Sequence, residues 1–284
     1  MPPADVAPEQ IVPAGNIDPI IPMRMDALLD RPGAPWQPLA RALLAGVHSA
    51  GHRAWVSGGA VRDVVAAAPL HEVNDLDLTG TVPPGRFTDI AFQTLRASRM
   101  SEYRTTITPK TLICAVIPPR TSARLIEYRG LTQGGLRFPA VGSLVGEDAR
   151  YRDFSFNALL YDVLDHVVID ACGSGLDDLL ADERRFVPTN VDTAASVRAH
   201  ILLRALKFGL RWLPERKLDL KPLCAWISTF PADFCDSLSP EDWRSLVAAY
   251  RRMDLDKVKR QLAFAAGLPQ PGRELLETVI GRAQ

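Results

Sequence analysis

The chain has 284 residues, of which 47% are hydrophobic, and its 33 Lys and Arg residues balance its 33 Asp and Glu residues. At about 150 residues per domain, this length predicts two domains, with enough chain to bury a core without disulfides. The zero net charge excludes a polycation that coats nucleic acid, although it is compatible with a local basic groove. No apolar run approaches the roughly 18 residues of a membrane span, and no signal peptide is recognised.

The four cysteines are Cys114, Cys172, Cys224 and Cys235, and they show no C-x-x-C spacing. Closely spaced pairs are typical of zinc sites, whereas reduced and buried thiols are typical of the cytoplasm. We therefore expect a cytoplasmic protein without a zinc site and without a membrane segment. The sequence gives no oligomeric state.

The first 36 residues hold eight of the 23 prolines. Proline fixes φ and removes a backbone donor, so it interrupts long helices. We predict that residues 1–36 form a Pro-rich arm that is extended or disordered.

Residues 37–175 alternate between strand and helix patterns, and residues 176–284 are rich in helical patterns. In chain order, the predicted elements are a helix at 39–51, a strand at 54–57, a helix that starts just past Gly58 and Gly59, a strand at 74–80, a helix at 89–99, strands at 111–117 and 123–128, and helices at 197–212, after the N-cap Ser239, at 256–266 and at 273–281. The predicted fold class is α+β, in which a small mixed sheet flanked by helices is followed by an all-α domain. We place the boundary near residues 172–180.

Two acids, Asp75 and Asp77, lie on the strand that follows a strand, a glycine turn and a helix. Residues at i and i+2 of a strand face the same side, so their two negative charges lie close together. A divalent cation relieves this repulsion. Two Mg²⁺ ions that bridge an attacking hydroxyl and the phosphates of a nucleotide are the arrangement of nucleotidyl transfer.

The glycine turn is formed by Gly58 and Gly59. Glycine allows the backbone to approach a phosphate, and the helix N-terminus that follows offers free N–H groups. Arg62 in the first helical turn opposes the helix dipole, and a bound phosphate would explain its position.

A D-x-D motif on its own is most often a solvated strand face or a turn. The segment Asp254-Leu255-Asp256 has the same spacing, and we interpret it as a helix cap without chemistry. Only the upstream glycine turn distinguishes Asp75 and Asp77 from such a segment. Spacing alone therefore leaves metal binding and a solvated face both open.

Several sequence blocks occur in a family-like order: SGGAVRD with NDLDLTG, EDARYRDFSFNALLYD, VIDACGSGLDDL, RRFVP and LLRALKF. Together they resemble the class II tRNA nucleotidyltransferase (CCA-adding enzyme)/poly(A) polymerase family, within the DNA polymerase β-like superfamily. The similarity runs from about Ala54 to Trp212. It implies a nucleotidyltransferase head that carries catalytic carboxylates, a helical neck, an NTP substrate and a two-metal Mg²⁺ site.

By position, Asp75 and Asp77 match the family's catalytic Mg²⁺ ligands. The residues at nucleotide-binding positions are Gly58, Gly59, Arg62, Arg152, Asp153, Asn157, Arg204 and Lys207. Lys207 stands where a second Arg is usual, and Tyr151 replaces the first Arg of the family's RRDF block.

The chain departs from the family in the neck helix and near the third carboxylate. The E-D-x-x-R signature, which is the family's amino-acid template for the base, is replaced by VRAHI at 197–201. Isoleucine cannot hydrogen-bond, so we expect this template to be absent. The family's Glu five residues before Arg129 is Arg124 here. We expect Glu127, the alternative third carboxylate, to face away, because three residues along a strand reverse the side-chain direction.

The helix at 197–212 carries a basic stripe about 60° wide at 100° per residue, which consists of His200, Arg204, Lys207 and Arg211. The neighbouring apolar stripe consists of Ala199, Leu202, Leu203, Leu206 and Leu210. A charge stripe is most often a solvated face. Because Arg204 and Lys207 coincide with nucleotide-binding positions, we predict phosphate contact for these two alone.

The leading hypothesis is a Mg²⁺-dependent nucleotidyltransferase that moves NMP from an NTP to a hydroxyl. The resemblance implies a tRNA-like RNA 3′ end as the acceptor, and the short segment after Trp212 leaves a small-molecule or protein hydroxyl as the alternative. The second hypothesis is a non-catalytic nucleotide- or RNA-binding protein that kept the head fold. Retention of Asp75 and Asp77 argues against it, because an unneeded close pair of charges costs folding free energy.

Loss of the template predicts NTP binding with altered or relaxed base choice, because phosphate contacts position a nucleotide and base contacts specify it. Arginine is the usual partner of guanine O6 and N7, so we expect Arg198 to favour GTP. Transfer rates with all four NTPs test this: Arg198→Ala should lower the use of GTP selectively, by roughly 10-fold. Equal rates in the wild type and the variant would refute it.

Overall fold

The computed structural model describes residues 3, 5–34, 36–37, 39–73, 75–109, 111–132, 141–214, 216–253, 255 and 257–284. The contacts within the chain divide it into two compact units. The head unit comprises Met1–Arg150 and Phe156–Leu176, and the body unit comprises Tyr151–Ser155 and Asp177–Gln284. The expected division into an arm, a head and a helical domain stays a prediction.

One mixed sheet organises the head unit. Its strands are β1 (Ile11–Pro13), β2 (Ala54–Ser57), β3 (Leu76–Gly80), β4 (Arg104–Ile107), β5 (Cys114–Ile117), β6 (Ile126–Gly130), β7 (Leu159–Asp162) and β8 (Val167–Asp170). Among the described residues the spatial order is β1-β8-β7-β2-β3-β6-β5-β4. β3 and β6 are parallel, and β2 lies antiparallel to both β3 and β7. The central strands β2 and β3 are thus held by neighbours on both sides.

The helices described in the head unit are α1 (Ala14–Ile17), α2 (Ile20–Leu29), α3 (Leu39–Ser49), α4 (Gly58–Val65), α5 (Pro84–Ala97) and α6 (Val145–Ala149). They flank the sheet: α4 packs on β2, β3 and β7, while α5 packs on β4, β5 and β6. This arrangement confirms the predicted α+β head. Within the described residues, no helix combines the length and the apolar character that a membrane crossing requires.

The body unit is mainly helical. After α7 (Gly175–Leu180), its helices are α8 (Ala195–Trp212), α9 (Lys221–Ile227), α10 (Pro240–Arg252), α11 (Val258–Ala266) and α12 (Gln270–Ala283). Two short strands, β9 (Glu183–Arg185) and β10 (Lys217–Asp219), pair in parallel. The body is therefore not all-α, and the sequence analysis missed this pair because each strand is only three residues long.

The N-terminal segment is folded, and the prediction of an extended or disordered arm is wrong for residues 14–29. Pro22 is the third residue of α2, where its missing N–H has no intrahelical acceptor, so it does not break the helix. Four apolar side chains of α2 are buried: Ile21, Met25, Leu28 and Leu29. In addition, β1 extends the sheet by pairing with β8. Residues 11–29 thus form part of the head.

The predicted elements agree with the structure elsewhere, with shifted ends. α5 starts at Pro84 rather than at residue 89, since proline is well suited to a first helical turn. Ser239 caps α10 as expected: its Oγ accepts a hydrogen bond from the Asp242 N–H. Leu112 has φ +55°, and the strand expected at 111–117 begins only at Cys114. The cap expected at Asp254 and Asp256 lies outside the described residues.

The packing of α2 is testable with two methionines of the same helix. Met25 is fully buried, whereas Met23 is 70% exposed. We expect Met25→Ala to lower the free energy of unfolding by about 2–5 kcal/mol, and Met23→Ala to leave it nearly unchanged. Urea unfolding of both variants measures this difference. If both substitutions changed the free energy of unfolding equally and only slightly, α2 would not pack on the head.

Candidate active site

Gly58 joins β2 to α4 and lies against the carboxylate of Asp77. Its φ of +65° is in the left-handed region, which favours glycine. A Cβ atom at this position would lie 3.0 Å from Asp77 Oδ2. In the β2–β3 ladder, Ser57 is paired with Asp77. The glycine turn and the second acid of the D-x-D motif are therefore in direct contact.

Asp75 and Asp77 lie at the start of β3. Asp75 immediately precedes the strand and is exposed, Leu76 is buried, Asp77 is partly buried and Leu78 is buried. From Leu76 to Leu78 this alternation is that of a pleated strand, so Asp77 faces away from the buried leucines, whereas Asp75 precedes the strand and its facing stays a prediction. The buried leucines face the opposite side and anchor the strand in the core.

Glu127 is paired with Asp77 in the parallel β3–β6 ladder, and paired residues of neighbouring strands face the same side of a sheet. The expectation that Glu127 faces away is therefore wrong. It counted strand alternation from Arg124, which precedes the first residue of β6, Ile126. The Glu127 carboxylate accepts a hydrogen bond from Arg124 Nη1 at 3.1 Å. In the part of the chain that the structure describes, no group of three or more His, Cys, Asp or Glu residues could hold a metal ion.

Arg62 is buried beneath the glycine turn, with an exposure of 4%. Its Nε donates to Asp63 Oδ1 at 2.9 Å, and its Nη1 donates to Asn157 Oδ1 at 2.8 Å. A Cβ on Gly59 would lie 3.4 Å from Arg62 Nη2, so the guanidinium lies next to the turn. The structure thus brings Gly59, Arg62 and Asn157 together. The sequence analysis assigned no role to Asp63, although the Arg-Asp pair stands in the SGGAVRD block.

The body unit assembles a second group around Asp153. Asp153 Oδ2 accepts a hydrogen bond from Arg204 Nε, and its Oδ1 accepts one from the Phe154 N–H at 2.9 Å. The Arg152 carbonyl accepts a hydrogen bond from Thr189 Oγ1 at 2.9 Å. These contacts hold two of the predicted nucleotide-binding side chains against each other.

Aromatic packing fixes the segment that carries Asp153. The Phe154 ring lies edge-on to the rings of Phe186 and Phe208, with centroids 5.5 and 6.2 Å away. Phe208 also stacks on Trp212, one turn along α8. The short 151–155 segment is thereby anchored to the helix that presents Arg204.

The basic stripe of α8 is exposed at Arg204 and Lys207, as the helical spacing predicted. His200 is partly buried and lies 3.2 Å from Ser245 Oγ, which fits a structural role. Burial lowers its pKa from the ordinary value of 6.5, and Arg252 adds to this effect.

The positions of the missing base template are occupied by packing residues. Ile201 is 3% exposed and belongs to the core of the body unit. The Arg198 guanidinium lies over the Phe230 ring, 4.9 Å from its centroid. At Ile201, therefore, no polar group is offered to a nucleotide base.

The contact at Gly58 gives a direct prediction. Alanine there would adopt a left-handed backbone and press on the Asp77 carboxylate, so Gly58→Ala should destabilise the head by about 1–2 kcal/mol. Gly281→Ala is the control, because it lies in α12 with no heavy atom within 4 Å of its added Cβ and should cost no stability. Urea unfolding compares the two variants, and an unchanged Gly58→Ala protein would argue against this geometry.

Comparison with known proteins gives a consistent result. Residues 54–183 match the model of the poly(A) polymerase head domain. Poly(A) polymerase I of Escherichia coli O6:H1 is 29% identical over 195 residues, which cover 65% of this chain and 40% of that protein. The Salmonella typhi enzyme of the same name is 28% identical over the same length and coverage. The chain thus spans about 40% of the length of these relatives.

Solved structures share the fold at lower identity. The Thermotoga maritima CCA-adding enzyme complexed with tRNA superposes with a TM-score of 0.62 and 16% identity, over 85% of this chain and 53% of that chain. A CCA-adding enzyme in complex with ATP gives a TM-score of 0.60 and 15% identity, over 89% and 55% of the two chains. These structures share the fold of the chain, and residues 54–183 are similar to the poly(A) polymerase head domain.

Proposed function

We propose that the protein is a Mg²⁺-dependent nucleotidyltransferase that transfers NMP from an NTP to the 3′ hydroxyl of an RNA. The observation that carries this proposal is the contact between the Asp77 carboxylate and Gly58. It puts an acid next to a turn whose backbone is open to a phosphate. Asp75 is exposed two residues before Asp77 and would supply the second acid.

The donor set fits magnesium. Asp75 and Asp77 would hold the metal through carboxylate oxygens, which are the ligands that Mg²⁺ prefers. Mg²⁺ is usually bound by one or two carboxylates together with waters and substrate phosphates, so a preformed cluster of three protein ligands is not required. When bound, the metal lowers the pKa of the attacking hydroxyl and neutralises the leaving pyrophosphate.

In the head, we assign nucleotide binding to Gly58, Gly59, Arg62 and Asn157. The glycines let the triphosphate approach the backbone, and the N–H groups at the start of α4 are directed at it. Arg62 adds positive charge beneath the turn and is kept in place by Asp63 and Asn157.

In the body, we assign nucleotide binding to Arg152, Asp153, Arg204 and Lys207. The exposed cations Arg204 and Lys207 can stabilise phosphate charge, and stabilisation that grows in the transition state accelerates transfer. Asp153 orients Arg204, since a carboxylate limits the directions in which a guanidinium can point.

The RNA acceptor is supported by the relatives, which are named poly(A) polymerase I and a CCA-adding enzyme complexed with tRNA. The buried Ile201 supports relaxed base choice, because the chain keeps phosphate-binding groups and lacks the base-reading pair. A small-molecule or protein hydroxyl is the alternative acceptor.

A non-catalytic nucleotide-binding protein is the second candidate. It is favoured by the ion pair between Arg124 and Glu127. Glu127 is the strand partner of Asp77, and its carboxylate is already engaged by this arginine. In that case the head would bind an NTP without transferring NMP or releasing pyrophosphate.

Pyrophosphate release separates these candidates. The protein is incubated with labelled NTP, Mg²⁺ and one acceptor: tRNA lacking its 3′ CCA, an oligoadenylate, or glycerol. We expect release with RNA, and a loss of at least about 100-fold in Asp75→Asn and in Asp77→Asn, because even metal second-shell residues are worth 10–100-fold.

Asp89→Asn is the matched control, because Asp89 is an exposed acid on α5 away from β3. It should retain full activity. Pyrophosphate release with glycerol but with neither RNA would identify a small-molecule hydroxyl as the acceptor. NTP binding without release under any acceptor would establish the non-catalytic candidate instead.

A further inference from the structure

Asp75 is delivered by a loop that the β-ladder does not hold. The segment between α4 and β3, of which residues 66–73 and 75 are described, is called the carboxylate loop, and it contains a left-handed residue, Ala67, with φ +58°. The first ladder residue is Leu76, which is paired with Ile126. The position of Asp75 therefore depends on what fixes the loop before it.

Two arginines of the N-terminal segment bind the backbone of this loop. Arg24 on α2 donates Nη2 to the Ala68 carbonyl. Arg31, just after α2, donates Nη1 to the Leu70 carbonyl and Nη2 to the Val73 carbonyl, the latter at 3.2 Å. One planar guanidinium thus binds the carbonyls of both Leu70 and Val73, and Val73 lies two residues before Asp75.

Arg31 is itself held in place. Its guanidinium lies over the ring of Trp36, 5.0 Å from the centroid. Trp36 is fully buried, and its Nε1 donates to the Leu28 carbonyl at 3.0 Å. A stacked guanidinium has few free rotamers, so its two donors reach the loop in a fixed geometry.

We propose that Arg31, together with Arg24, is a positioning residue for the Asp75 carboxylate. The inference deepens the proposed function and rests on it for the role of Asp75. Arg31 acts through the loop backbone and touches neither a nucleotide nor a reacting atom.

The chain supplies a matched control in Arg41 on α3. Its Nε donates to Asp30 Oδ1 at 2.8 Å, and its Nη2 donates to Asp26 Oδ1 at 2.8 Å. Arg41 thus ties down the same N-terminal segment through a forked guanidinium, and these two bonds go to Asp30 and Asp26 rather than to the carboxylate loop. Loss of Arg41 perturbs the segment, whereas loss of Arg31 perturbs the segment and the loop.

The experiment compares Arg31→Ala, Arg31→Lys and Arg41→Ala in the full chain. Amide hydrogen exchange of residues 68–77 reports the loop, electron paramagnetic resonance titration reports Mn²⁺ binding, and kcat and KM for NTP report transfer. We expect Arg31→Ala to speed exchange in the loop, to weaken Mn²⁺ binding about 10-fold and to lower kcat about 10–100-fold, with KM nearly constant. Arg31→Lys should restore part of each effect, because an ammonium lacks the planar fork.

Arg41→Ala should leave loop exchange, Mn²⁺ binding and kcat near the wild-type values, even where its melting temperature falls as far as that of Arg31→Ala. The proposal is overturned if loop exchange is unchanged in Arg31→Ala, or if Arg41→Ala alters exchange and Mn²⁺ binding to the same extent. If the wild type transfers nucleotide to no acceptor, the proposed function fails, while the exchange comparison still decides whether Arg31 holds the loop.

Discussion

The Asp77 carboxylate lies against the backbone of Gly58, and this contact constrains the centre of the head unit. It requires a residue without a side chain at the end of β2, a left-handed turn there, and a register in which Ser57 is paired with Asp77. The buried Arg62 then has a reason to lie under the turn, because it joins α4 to Asn157. The glycine at position 58, the register of β2 and β3 and the contacts of Arg62 therefore all depend on the same small region.

The sequence predicted those parts of the fold that local patterns encode. The strand–glycine–helix unit, the strand from Leu76 that carries Asp77, the long amphipathic α8 and the Ser239 cap each depend on residues close together in the chain, and each is confirmed. The predicted site residues remain a proposal.

The features that sequence reasoning missed depend on partners far away in the chain. Proline content suggested an unfolded arm, yet burial of Met25 and Leu28 on the head outweighs the interruptions, and Pro22 sits where a helix tolerates it. The facing of Glu127 depends on where β6 starts, which a count of residues from Arg124 cannot reveal. Likewise, the partners of Arg62 include Asn157, 95 residues away.

The burial of Ile201 has a consequence for any attempt to place a base-reading arginine at this position. Reintroducing arginine there by a single substitution would place a guanidinium inside a packed interior, and an unpaired buried charge costs several kcal/mol. The substitution would destabilise the packing around α8 and would not create a side chain that hydrogen-bonds to a nucleotide base. A base-reading arginine at this position would thus require coordinated redesign of α8 and its neighbours, because the packed interior around Ile201 has to accommodate the new side chain.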